Sequence, residues 1–232
     1  MKIMATSGGA GDIVYSIPVA RLLGITHYAV KVNHYNPPHG NLYASIQRLL
    51  KSQGFEVIAT SGDYPIGEYD PALKYDYRME DWLQQPSRGR NHIILSMSNQ
   101  WRINMPAVAS GWLHDIKPKE NSPDYLVHVT PRWRERSRVR WANVIRRMPK
   151  KPVFIGHMDE HARFCEEIGQ LTPYLFTRDL YSAAQHIAGC KALYCNQSVM
   201  LTIAQGLNKR RYLERKPMKT NTILPSKLET YL

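Results

Sequence analysis

Apolar residues along the chain follow two alternating periods, short continuous runs and helical spacings. Lys2–Thr6 is a short apolar run ending in a Gly-rich turn, Ser7–Gly11. From Ile13 to Leu23 the apolar positions Ile13, Ile17, Ala20 and Leu23 recur near helical spacing. Pro18 lies inside that pattern and predicts a kink or a delayed helix start. Tyr28–Val32 reads as the next strand, Leu42–Gln53 as a helix stopped by Gly54, and Glu56–Thr60 as a strand. A strand–helix–strand–helix–strand order predicts a parallel sheet with right-handed crossovers. The Gly-, Pro-, Tyr- and Asp-rich stretch Gly62–Tyr77 reads as a loop, Tyr77–Gln84 as a short helix and His92–Met97 as a strand.

The run Lys117–Pro123 reads as a linker, after which the rhythm restarts. Tyr125–Val129, Pro152–Ile155, Ala192–Cys195 and Arg211–Glu214 are strands, the last of them the final strand of the chain. Trp141–Arg147, Glu160–Ile168, Asp179–Ala188 and Ser198–Gly206 are helices. The expectation is therefore an α/β protein of two Rossmann-like domains, 1–120 and 121–232.

Charge changes this picture by separating the halves. Residues 1–120 hold 12 Lys and Arg against 10 Asp and Glu, whereas residues 121–232 hold 19 against 9. So one-sided a basic half predicts an anionic partner there, a phosphorylated small molecule or a polyanion such as DNA or a phosphorylated glycan. A basic surface with no specific partner is the plainer alternative. No stretch approaches the roughly 18 apolar residues of an integral membrane segment, and Met1–Ala5 is too short for a secretory signal. Cys165, Cys190 and Cys195 show no ligand spacing and read as reduced thiols of a cytoplasmic protein.

Candidate chemistry collects at strand ends. In Gly8–Asp12 the glycines, Gly9 and Gly11 among them, let backbone approach a ligand, and a helix N-terminus offers free N–H groups to an anion. The spacing is neither GxGxxG nor a P-loop, so a dinucleotide oxidoreductase is disfavoured. Asp12 puts a carboxylate where a phosphate binder would avoid one; it is either the helix N-cap or a general base. Thr130, Arg132 and Arg134 follow a strand end, where arginine forks suit phosphate oxygens, although alternating arginines can equally be a solvated loop. Asn196, Gln197 and Ser198 precede a helix and form either an uncharged cradle for a diphosphate or a plain Ser N-cap. Gly156 ends another strand. Glu214 stands where a carboxylate can accept both hydroxyls of a ribose, or pair with Arg210, Arg211 or Arg215. His157 and His161 are four apart without a third ligand, and there is no DxD motif, so no metal site is expected.

The order of these motifs resembles a known family. Gly11-Asp12-Ile13-Val14-Tyr15-Ser16-Ile17-Pro18 is similar to the GDxxxxxP signature of the ADP-heptose:lipopolysaccharide heptosyltransferase-like glycosyltransferases. Phe154-Ile155-Gly156, Asp159-Glu160, Ala184–Ala188 and Asn196-Gln197-Ser198 follow that family's later elements. The resemblance covers residues 2–24 and 125–215. It implies a GT-B fold, two Rossmann-like domains facing across a cleft, with the donor on the C-terminal side and the acceptor on the N-terminal side. It further implies Asp12 as the base of an inverting, metal-independent transfer from a nucleotide-diphosphate sugar to a hydroxyl of a glycan or a modified DNA base. No separate cofactor is implied, the nucleotide sugar being the donor substrate. The chain departs from the family where an Asn-Asp-Ser/Thr-Gly run becomes Asn196-Gln197-Ser198-Val199 and a histidine becomes Thr202. It resembles the compact versions of phages and some bacteria. The alternative is a non-catalytic nucleotide-sugar or nucleic-acid binding protein on the same fold.

Overall fold

The structure, a computed structural model, describes residues 1–6, 9–32, 41–60, 69–70, 72–79, 92–105, 111–134, 139–215, 222–224 and 226–232. Its first half builds a parallel sheet of β1 (Ile3–Thr6), β2 (His27–Lys31), β3 (Glu56–Thr60) and β4 (Tyr77–Arg78) in the order β3-β2-β1-β4. Between and after these strands run α1 (Ala10–Leu23), α2 (Leu42–Ser52) and α3 (Ile93–Gln100). The second half builds a parallel sheet of β5 (Tyr125–His128), β6 (Val153–Ile155), β7 (Tyr174–Leu175), β8 (Ala192–Asn196), β9 (Arg211–Glu214) and β10 (Glu229–Tyr231). Helices α4 (Trp141–Arg147), α5 (Met158–Ile168), α6 (Leu180–Gly189) and α7 (Val199–Gly206) connect them. The order β10-β9-β8-β5-β6-β7 is that of a doubly wound sheet, whose direction of winding reverses between β5 and β8. Ligands of such sheets bind outside the carboxyl ends of the strands at this reversal.

The expected α/β architecture of two Rossmann-like halves is present, with four local corrections. The anticipated strand at His92–Met97 is helix α3, capped by His92, whose Nδ1 accepts the Ile94 N–H at 3.2 Å. A short apolar run carries no period of its own, and here Ile93, Ile94 and Met97 share one buried helical face that meets α1. Tyr77 and Arg78, expected to open a helix, instead pair with Met4 and Ala5 as the edge strand β4 and are followed by buried Met79; residues 80–84 of that stretch lie outside the described residues. Helix α1 is not delayed by Pro18 but begins at Ala10. Arg211–Glu214 is not the last strand, because β10 adds in parallel beside it. Within Gly62–Tyr77 the described residues 69–70 and 72–76 carry neither helix nor strand, and the others lie outside the description.

The halves are packed, not merely linked. One apolar core runs through both, joining Val14, Ile17 and Leu50 of the first to Leu126, Leu201 and Ile203 of the second. Helix α1 lies on α7 and α2 lies on α6. The segment 111–124 has neither helix nor strand and is tied to both sides: Leu113 N–H donates to the Gly206 carbonyl at 2.8 Å, and Gln53 Nε2 donates to the His114 carbonyl at 2.8 Å. A second, smaller core lies on the far face of the C-terminal sheet, where Trp141, Phe154 and Phe164 pack under α4 and α5.

Candidate functional site

The strand ends of the two halves meet through α1 and α7. Strand β1 delivers the chain to Gly9, the N-cap of α1, in extended backbone with no side chain bonded to the cap. A methyl group added at Gly9 would meet nothing within 4 Å among the described residues. Asp12 sits in the first turn, its N–H bonded to the Gly9 carbonyl at 3.0 Å. The N-cap alternative for Asp12 is thereby set aside. Its half-buried carboxylate stands beside the first N–H groups of α1, where the helix field favours negative charge. Gly11 faces the other helix: a Cβ there would lie 3.4 Å from Thr202 Oγ1 and 3.7 Å from Val199 Cα. The N-termini of α1 and α7 therefore converge.

At the start of α7 the three polar residues divide their work. Asn196, 1% exposed, accepts from the Thr130 N–H at 3.1 Å and donates to the Thr130 carbonyl at 2.7 Å, fastening the ends of β5 and β8 where the sheet reverses. Gln197 Nε2 donates to Thr222 Oγ1 at 2.6 Å, which anchors the segment leading to β10. Ser198 is the N-cap of α7, yet its side chain makes no capping bond, and its buried Oγ has no hydrogen-bond partner among the described residues. A buried hydroxyl with spare capacity at a helix N-terminus is a place for an anion's oxygen. Of the predicted diphosphate cradle, Thr130 and Asn196 are bonded to each other, and the Ser198 hydroxyl is not taken up by another described residue.

Arg134 and Glu214 come together, but on each other. Glu214, 1% exposed, accepts from Arg134 Nε at 3.3 Å and from Trp141 Nε1 at 2.9 Å. The Arg134 guanidinium also bonds Glu167 and the Val139 carbonyl. The alternative of Glu214 pairing with Arg210, Arg211 or Arg215 gives way to this cluster, and Arg211 instead makes a buried pair with Glu229 at 2.6 Å. Arg132 is exposed on the 3-10 turn Pro131–Trp133, while Arg136 and Arg138 lie outside the described residues.

Gly156 is required by internal packing. Its φ is +149°, and a Cβ would stand 2.7 Å from His128 Nδ1 and 3.0 Å from Glu160 Oε2. His157 caps α5 with Glu160 reciprocating, and His161 Nε2 contacts the Thr172 carbonyl at 2.6 Å. Among the described residues no three His, Cys, Asp or Glu gather as metal ligands, and no helix is long and apolar enough to cross a membrane.

Three features of this rim were not anticipated from the sequence. Tyr15, one turn beyond Asp12, donates to Gln205 Oε1 at 2.8 Å and so ties α1 to α7; burial pushes its hydroxyl pKa far up. Thr202 backs the Ser198 cap with a bond to its carbonyl at 3.3 Å. Met158 and Phe176, 66% and 74% exposed, follow the carboxyl ends of β6 and β7, an apolar pair beside the open strand ends. An apolar residue directly after a strand was the available signal for Phe176, whereas Met158 stands three residues past β6 as the first residue of α5.

No protein-family model and no curated protein matches the chain. Solved structures do. It is similar to the E. coli heptosyltransferase WaaC with ADP at 13% identity and a TM-score of 0.56, over 100% of this chain and 92% of that one. It is also similar to a glycosyl transferase family 9 protein from Veillonella parvula at 15% identity and 0.56, over 99% and 86%. WaaC with ADP-2-deoxy-2-fluoro heptose aligns at 14% identity and 0.53, over 100% and 93%. The chain has the heptosyltransferase-like GT-B fold of the glycosyltransferases.

Proposed function

We propose that the protein transfers a sugar from a nucleotide-diphosphate donor to an acceptor hydroxyl, with inversion and without a metal. The observation that carries this reading is the convergence of the Asp12 turn on the Ser198 N-terminus, marked by the approach of Gly11 to Thr202 and Val199. A base and an anion-binding helix end then share one cleft. In this reading residues 1–120 hold the acceptor, and Asp12 takes its proton as the oxygen attacks the anomeric carbon from the face opposite the diphosphate. Residues 121–232 hold the donor. The N–H groups at the start of α7 and the Ser198 hydroxyl receive the negative charge of the leaving diphosphate, and exposed Arg132, two residues past Thr130, is a further cation for it. Met158 and Phe176 offer an apolar seat for the base of the nucleotide. The structures of WaaC with ADP and with a fluorinated ADP-heptose support a nucleotide on this fold.

The test begins with a thermal-shift screen of nucleotides and nucleotide sugars, where a ligand at a hundredfold excess over its Kd adds about 2.7 kcal/mol of stability. With the donor in hand, Asp12→Asn lowers kcat by about 10²–10⁴ while leaving donor affinity within threefold. Full transfer by a folded Asp12→Asn protein removes the base assignment. Donor binding with no turnover on any hydroxyl acceptor makes this a binding protein instead.

A further inference from the structure

The C-terminal sheet has a second face that the cleft does not use. Side chains alternate along its strands: Leu126, Leu193 and Leu213 point into the core shared with the N-terminal half, whereas Val127, Tyr194 and Tyr212 point to the opposite side under α4. There, between α4 and the strands β8 and β9, runs a groove of about 530 Å³. Its floor is a stacked pair of rings, Tyr194 and Tyr212, with centroids 4.3 Å apart and planes inclined by 12°. Tyr212 is the more exposed of the two. Its wall carries Arg140, at the N-cap of α4, and Arg147, in its last turn.

Charge on α4 is of one sign. From Val139 to Lys151 there are five cations and no acid. Arg146 and Lys151 line a second hollow on the other flank of the helix. Arg140, Arg146, Arg147 and Lys151 enter no ion pair among the described residues. Seven residues of helix place the two groove arginines about 10 Å apart along the axis, too far for one diphosphate and suited to successive phosphates of a chain. The recessed tyrosines exclude a membrane as the natural occupant, because that requires protruding apolar side chains. Bases of a duplex have their faces covered, whereas those of a single strand are free to stack on aromatic rings.

We infer that the groove between α4 and β8–β9 is a docking surface for single-stranded nucleic acid, whose phosphates meet Arg140 and Arg147 and whose bases meet Tyr212. It stands apart from the proposed transfer site and does not depend on it.

Fluorescence anisotropy of labelled single-stranded DNA and RNA twelve-mers against the full chain tests this. If four phosphates are neutralised, log K falls with log salt at a slope of about −2.8. Arg140→Gln/Arg147→Gln lowers the slope to about −1.4 and weakens binding at low salt by roughly tenfold, with the melting temperature unchanged. Tyr212→Leu weakens binding about tenfold with little change in slope. Asp12→Asn binds the oligonucleotide as the wild type does, so failure of the transfer reading leaves this result intact. Equal affinity for duplex, capture by anionic phospholipid vesicles but not by oligonucleotide, or full binding by the double arginine variant overturns the inference.

Discussion

Replacing Glu214 by alanine separates a ribose ligand from a structural clamp. In the structure both carboxylate oxygens are engaged, one by Trp141 Nε1 at 2.9 Å and one by Arg134 Nε at 3.3 Å, and the residue is 1% exposed. Trp141 is fully buried, edge-on to Phe164, so its N–H would find no replacement; leaving it unpaired costs about 1–3 kcal/mol. Arg134 keeps Glu167 and the Val139 carbonyl and is partly solvated, which limits its share to about 1 kcal/mol. The expected loss is about 3 kcal/mol, or a fall in Tm of roughly 6–12 °C for a chain of this size. Urea unfolding followed by tryptophan fluorescence measures it. A cycle with Trp141→Phe should return a coupling of about 1–2 kcal/mol. A loss below about 1 kcal/mol, together with a more than tenfold loss of nucleotide affinity, would refute the clamp and restore the ribose role.

Other consequences can be checked on the same protein. Gly156→Ala places a methyl group 2.7 Å from His128 Nδ1 at a φ of +149°, and should destabilise by about 3 kcal/mol or more in the same urea assay, with no rescue by ligand. His92 is buried and its pKa is pushed down to about 4, so it is neutral when folded and accepts a proton more readily when unfolded. Its contribution is intact above pH 6.5 and is lost as the pH falls towards 4, by roughly 3 kcal/mol. His92→Asn should flatten that part of the stability–pH curve; an unchanged acid limb would show that another group governs it.

How far the sequence was legible depended on local periodicity. Helices α4, α5 and α7 and strands β3 and β9 appear where spacing and flanking Gly, Ser or Asp placed them. The misassigned helix α3 shows one cause. Short apolar runs such as Ile93-Ile94-Leu95 fit either period, and the decision was made by packing against α1. At the site, strand ends were located correctly as positions, because a parallel sheet fixes where ligand-facing loops emerge. What spacing could not show was which polar groups are consumed within the fold. Asn196 is taken up by Thr130, Gln197 by Thr222 and Arg134 by Glu214, and these partners lie 66, 25 and 80 residues away in the chain.

The core that runs unbroken from Val14 to Ile203 has a consequence for the thermodynamics of recognition. Where two lobes swing freely, each ligand must bear the entropy of immobilising one against the other, and that loss appears as weaker affinity. Here the Tyr15–Gln205 bond and the α1–α7 contact fix their mutual orientation as the chain folds. A ligand spanning the two helix ends meets an arrangement already made. The sensitivity of such a protein to change then lies less at the contacts with ligand than in the apolar residues between its halves, where a lost methylene would loosen both at once.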